Sequence, residues 1–216
     1  MLRVTEYEDD IFYHLRDLEQ QHIVKPYMDF QQDLQWHMRS ILIDWLVQVH
    51  LRFHMVDEVL FHAVNIMDRF LSIKVVAMDK FQLLGIVSLF IASKYEEERP
   101  PSLSDLVTMV DRAYSAHEIL GAEKFVLGLL NYNLSYAHPQ NFIRRISQAD
   151  ELDVGIRTVA KYFTEVTLMH EQFFGFANSL IAAGAMYLAR QMIYGELPQF
   201  ESWVSLASSS NKNSYF

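Results

Sequence analysis

The chain has 216 residues, 18 Lys and Arg against 27 Asp and Glu, and a formal net charge of −9. Seven glycines and five prolines make up about 6% of it, against an ordinary usage of about 12%, which excludes a sandwich, propeller or solenoid of short strands and predicts an all-α fold of one or two domains. The absence of cysteine removes disulfides, thiolate metal sites and a cysteine nucleophile together. The acidic balance opposes a nucleic-acid surface, which needs clustered Lys and Arg, and favours basic partners or substrate segments. Hydrophobic content of 51% with 13% aromatics excludes wholesale disorder.

The first ten residues contain no apolar run of the kind a secretory leader carries. Thr5 with Glu8 reads as a capping box, and Ile11, Leu15 and Leu18 follow at helical spacing, so residues 5–21 are expected to form a first amphipathic helix. Lys25-Pro26 breaks it, and an irregular connection runs to Asp33, closing an N-terminal segment at 1–33. A helix from Asp33 or Leu34 to about His54 is apolar nearly all round and is expected to lie in the middle of a domain. Asp57 is expected to cap a third helix. A fourth runs over about 79–97 and stops before Pro100-Pro101. Ser102 or Ser104 starts a short helix, and Ser115 with Glu118 forms a capping box opening a helix to about Leu130. Residues 131–139 read as a linker.

Beyond it lie helical patterns at about 139–149, 154–170 and 173–193, ended by Gly195 and Pro198. Gln172–Ala189 carries no formal charge over 18 residues, at the lower bound of a membrane span, but its Gln, Asn and Ser and its Gly/Ala-rich turns favour a central helix buried on all sides. Residues 83–94 lie over 180–190 at an offset of 97, a faint repeat that two helical bundles, each round one buried helix, would explain. The divisions are 34–134 and 135–204, with 205–216 a polar disordered tail. The second bundle lacks recognisable helices after Leu197-Pro198 and reads as truncated.

No Gly-rich phosphate loop, HExxH or G-x-S-x-G is present. His50, His54 and Glu58 stand at ligand spacing, but the run crosses Val56-Asp57, where one helix ends and another begins; ordinary histidines are favoured, and no metal, cofactor or catalytic residue is expected. The informative residues are charges inside apolar helices: Arg39, Asp44, Asp68, Lys94 and Glu123. An unpaired buried charge costs several kcal/mol, so each needs a partner or a functional edge. Arg39 and Asp68 can pair between helices, which leaves Lys94 and Glu123 either to partners within the fold or to something outside it. Met38, Ile41, Leu42 and Trp45 form one stripe at i, i+3, i+4 and i+7, with two readings open: all four face inward, or they make a shallow groove for short peptides.

The segments 38–49 (MRSILIDWLVQV), 67–72 (MDRFLS) and 89–101 (LFIASKYEEERPP) resemble the cyclin box in order and spacing, over about residues 6–200. Arg39, Asp68, Leu83, Lys94 and Glu123 stand where cyclins carry marker residues. WLVQV, SKYEE and 142–154 (FIRRISQADELDV) are most similar to B-type, G2/mitotic cyclins. The resemblance implies tandem cyclin boxes in a regulatory subunit without catalysis of its own, found in nucleus and cytoplasm, which activates a cyclin-dependent Ser/Thr kinase at the G2/M transition. It implies kinase contacts by Ile11, Lys94, Tyr95, Glu96, Glu97, Glu123, Leu127, Tyr132 and Leu134, and a structural ion pair of Arg39 with Asp68. It further implies a docking patch for Arg-x-Leu substrate or inhibitor peptides at Met38, Ile41, Leu42, Trp45, Gln48, Phe81, Gln82 and Asp111. Gln48 replaces the Glu that meets the peptide's arginine in some members, and Arg112 replaces a second acidic position, so weakened docking is expected. No destruction signal of the Arg-x-x-Leu-x-x-x-x-Asn type precedes the first helix; Arg39-Ser-Ile-Leu42 lies inside a helix and reads as structural. The expectation is a regulatory N-terminus outside this sequence or another mode of turnover. The cyclin-like core of general transcription factors, which binds promoter DNA, is the alternative, and the net charge of −9 opposes it. Neither nucleic acid nor membrane is an expected partner.

Overall fold

The computed structural model describes residues 5–149 and 153–195. In that range the chain forms nine α-helices and no strand: α1 (Glu8–Gln21), α2 (Trp36–Arg52), α3 (Asp57–Leu71), α4 (Met78–Glu96), α5 (Leu103–Met109), α6 (Ala116–Leu129), α7 (Pro139–Ala149), α8 (Val154–Met169) and α9 (Asn178–Tyr194), with 3-10 turns at Thr5–Tyr7, Met28–Phe30 and Glu171–Phe173. Residues 196–216, including Pro198 and the expected tail at 205–216, lie outside the described residues. Packing divides the chain into two compact bodies. Among the described residues, one comprises Val24–Leu134 with Leu168–Gly175; the other comprises 5–23, 135–149, 153–167 and 176–195.

The first body is built round α3 and α4. Every residue from Val59 to Asp68 and from Leu83 to Ser93 is buried, so two adjacent helices are sealed on all sides. The nearly all-apolar wheel of α2 predicts a helix in the middle of the domain. α2 buries one face only, through Arg39, Leu42, Ile43, Leu46, Val49 and His50, while Ile41 (66% exposed) and Leu51 (63%) face outward. An all-apolar wheel therefore marks two different surfaces here, a core face and an exposed one. α2 crosses α4 closely at Gly85, where a Cβ would lie 2.9 Å from Leu42 Cδ1.

Helix ends follow local chemistry, with corrections. Ser102 and Ser115 cap α5 and α6 in complete capping boxes with Asp105 and Glu118. Hydrogen bonds from Ser102 hold the Asp105 carboxyl below its usual range, and those from Ser115 do the same for Glu118. Asp57 is not a cap: Val56 holds that position without a side-chain bond, and Asp57 opens the first turn of α3. Thr5 likewise opens a 3-10 turn, and α1 begins three residues later behind Tyr7. α5 and α6 both end without glycine, on consecutive left-handed residues: Asp111 and Arg112, then Asn131 and Tyr132. In each, an N–H reaches back five residues, Arg112 to the Val107 carbonyl and Tyr132 to that of Leu127, both at 2.9 Å.

In the second body α1 packs on α7, with Phe12 edge-on to Phe142 (6.1 Å) and Arg145 stacked over Phe12 (4.1 Å). The buried Glu19 carboxylate accepts from Ser179 N (2.5 Å) and Ser179 Oγ (3.0 Å), so α1 caps the start of α9. α9 begins at Asn178 rather than 173, because Gly175 turns left-handed (φ +82) before it. Nor is it buried all round: Ser179, Ala182, Ala183, Ala185, Met186 and Ala189 face the core, while Leu188 and Met192 are exposed. Among the described residues, no helix is long and apolar enough to cross a membrane.

Gly85→Val forces a branched side chain against Leu42 and is expected to cost about 1–3 kcal/mol in urea unfolding. Adding Leu42→Ala provides the missing space, so the two penalties are expected to fall short of their sum; strict additivity would show that the crossing is loosely packed.

Candidate functional site

Arg39 on α2 and Asp68 on α3 are 4% and 5% exposed. Arg39 Nε donates to Asp68 Oδ1 (2.8 Å) and Nη2 to Oδ2 (2.7 Å), a two-pronged pair, and Nη1 donates to the Leu168 carbonyl (2.8 Å). Tyr27 Oη donates to Asp68 Oδ1 at 2.7 Å. The Tyr27, Trp36 and Phe174 rings pack mutually at 5.1–5.5 Å, and the guanidinium lies 6.0 Å from Trp36 and 5.5 Å from Phe174. Burial alone lowers the Arg39 pKa, but the Asp68 charge and hydrogen bonds outweigh it and hold the guanidinium above its usual value. Burial, reinforced by the Asp68 carboxylate, pushes the Tyr27 phenol up. The sequence reading missed Tyr27, Trp36 and Phe174 in this arrangement: Tyr27 and Phe174 lie in irregular segments, where no periodicity marks an inward residue.

Lys94 and Glu123 pair with each other, Nζ to Oε1, joining the end of α4 to α6. Glu123 is buried and Lys94 exposed, with its ammonium 4.2 Å over the Phe90 ring. Three N–H donors and two carboxylate oxygens leave both groups spare capacity towards outside backbone groups. Next to them Tyr95 is exposed, edge-on to buried His62 (5.0 Å), and Glu96 Oε1 meets His62 Nδ1 at 2.9 Å. Glu97 accepts from the Val56 N–H (2.7 Å). Leu127 and Leu134 are half-buried, and Tyr132 is two-thirds exposed (66%) on its left-handed backbone. Ile11 is exposed on α1, in the other body.

The α2 stripe is graded. Leu42 is buried, Met38 and Trp45 are half-buried, and Ile41 is exposed, so the wholly inward reading fails for Ile41. From α4, Phe81 is buried and Gln82 half-buried. Gln48 is exposed and donates from Nε2 to Asp44 (3.1 Å). Asp44, which interrupts the apolar run of this helix in sequence, lies on its exposed face. Asp111 and Arg112 occupy the turn after α5. His50 is buried and bonded through Nε2 to the Val56 carbonyl (2.9 Å), and His54 is exposed beyond the end of α2. No group of three metal-ligating side chains is found among the described residues.

Two helical bodies of this kind define the cyclin fold. Residues 10–135 match the cyclin N-terminal domain and 137–210 the cyclin C-terminal domain, so the chain belongs to the cyclin family. Similar curated proteins are the G2/mitotic-specific cyclin-B of Emericella nidulans, 49% identical over 193 residues (89% of this chain, 40% of the relative), and the G2/mitotic-specific cyclin cdc13 of Schizosaccharomyces pombe, 51% identical over the same shares. The chain thus spans about two fifths of the length of the curated relatives it matches. Among solved structures, a viral cyclin from herpesvirus saimiri superposes with a TM-score of 0.81 at 19% identity, covering 92% of this chain and 90% of its own. A chain of the CAK complex from Chaetomium thermophilum bound to ATP-γ-S gives 0.56 at 18% identity, covering 90% and 67%. These likenesses favour the cyclin reading over the promoter-binding one.

An unfolded phenol ionises near pH 10, whereas buried Tyr27 stays protonated beyond it. Its contribution is therefore complete below about pH 10 and lost as pH rises further. Tyr27→Phe is expected to flatten the fall of unfolding free energy above about pH 10; an unchanged slope would place that alkaline sensitivity elsewhere.

Proposed function

We propose that this chain binds and activates a cyclin-dependent Ser/Thr kinase at the G2/M transition, in nucleus and cytoplasm, as a regulatory subunit with no catalysis of its own. The observation that carries the reading is the Lys94–Glu123 pair, a donor and an acceptor side by side at the rim of a rigid helical body. Such a pair suits the unpaired backbone groups at the end of a partner helix. Tyr95, Glu96, Glu97, Leu127, Tyr132 and Leu134 surround it as the surface for the kinase's mobile C helix, and Ile11 adds a further contact. Activation is differential binding: the chain favours the inward position of that helix, where its Glu meets the catalytic Lys, and kinase populations shift by as much as that preference. Met38, Ile41, Leu42, Trp45, Phe81 and Gln82 form the docking patch for Arg-x-Leu peptides, with Asp111 as a flanking acidic group. Gln48, tied to Asp44, offers the peptide's arginine only a neutral acceptor.

Lys94→Ala with Glu123→Ala is expected to abolish co-purification of a cyclin-dependent kinase while the helical circular-dichroism signal survives. Retained binding with full activation would contradict the assignment. Gln48→Glu is expected to tighten binding of a synthetic Arg-x-Leu peptide roughly tenfold in fluorescence polarisation, through a charge-assisted bond. No gain would remove position 48 from the patch.

A further inference from the structure

The first body contains a cavity of about 250 Å³ bounded by the end of α3, the loop after it, the start of α4 and α6. Phe70, Val76, Leu83, Leu84, Phe125 and Val126 wall it. Phe125 is half exposed and stands edge-on to buried Phe70 at 5.8 Å. At roughly 100° per residue, the α6 lining residues Ala122, Phe125 and Val126 centre about 110° round that helix from Glu123, on the side away from Leu127, so the cavity opens on a neighbouring face of α6 and not on that of the Lys94–Glu123 pair.

Its only charged lining residues are Lys74 and Lys80, which give a cationic rim to a chain whose net charge is −9. Lys80 reaches Asp79 at 4.0 Å and Glu118 at 3.8 Å, both exposed, at separations where little is gained. The rim is also held in place. Buried Gln31 donates from Nε2 to the carbonyls of Leu71 (2.7 Å) and Lys74 (2.9 Å) and accepts from the Val76 N–H (3.0 Å), which fixes the loop forming one wall. The cavity is below the roughly 300–1,000 Å³ of sites that enclose drug-sized molecules, which favours a single inserted side chain over a long acyl chain.

We propose that this cavity docks a short segment of a partner protein that inserts one phenylalanine or leucine side chain and carries a carboxylate on each side of it, facing Lys74 and Lys80. The apolar walls take the side chain, and the two ammonium groups select for acidic flanks and against basic ones. The reading is independent of kinase binding.

The test is fluorescence polarisation of the full chain with a labelled synthetic peptide in which one phenylalanine is flanked by aspartates in a Gly/Ser background. Saturable binding is expected, weakened roughly tenfold or more by Lys74→Glu with Lys80→Glu, two exposed substitutions that leave the core untouched. Ala122→Phe, which fills the cavity from α6, and replacement of the peptide's phenylalanine by alanine are each expected to abolish binding; circular dichroism checks that every variant is folded. Absence of saturable binding overturns the proposal, and so does equal affinity for the charge-reversed variant. Binding of sodium laurate without binding of the peptide overturns it in favour of a fatty-acid site.

Discussion

A carboxylate and a guanidinium sunk together into an apolar body set the terms for the first bundle. Moving either alone out of water costs several kcal/mol, so Asp68 and Arg39 are tolerable only in contact and only with their remaining bonding capacity largely used. That requirement fixes α2 against α3, brings Tyr27 in from the connecting segment, and draws the Leu168 carbonyl onto the remaining guanidinium prong. Aromatic rings complete the enclosure. Replacing the pair by apolar residues of matching shape need not weaken the fold, but losing one partner would leave the other stranded. The pair thus specifies one arrangement of these elements more than it adds net stability.

The division of labour between buried and exposed charge is clear in α4 and α6. Glu123 is as enclosed as Asp68, but its cation approaches from the solvent side, so this pair is half open and its groups keep spare capacity. Three adjacent residues, Tyr95 to Glu97, are tied back to α3 or its approach by a ring contact or a hydrogen bond, which makes the region a firm surface.

Much of this was legible in the sequence, because its main signals are local. The helix-wheel pattern located the nine helices of the described residues, and the serine caps of α5 and α6 were readable from spacing. Charges interrupting apolar runs singled out Arg39, Asp68, Lys94 and Glu123. What failed depended on tertiary context. The α2 wheel does not say which of its apolar faces meets the core, and the uncharged wheel of α9 carries the same ambiguity. Asp57 resembles a cap from the sequence, but the backbone turns one residue earlier. Tyr27, Gln31 and Phe174 lie in irregular segments, where burial leaves no periodic trace. Lys94 and Glu123, possible outward contacts in sequence, also pair with one another across two helices, a fact that no spacing rule contains.

Enclosure of α4 along eleven consecutive residues has a mechanical consequence. A rod gripped from every direction in a close-packed interior can neither slide nor rotate without opening voids along its length. Load applied at its Lys94 end is therefore met by the whole bundle. When such an unyielding post meets a softer body, the deformation falls on the softer one, and the geometry imposed on it is set by this chain's interior.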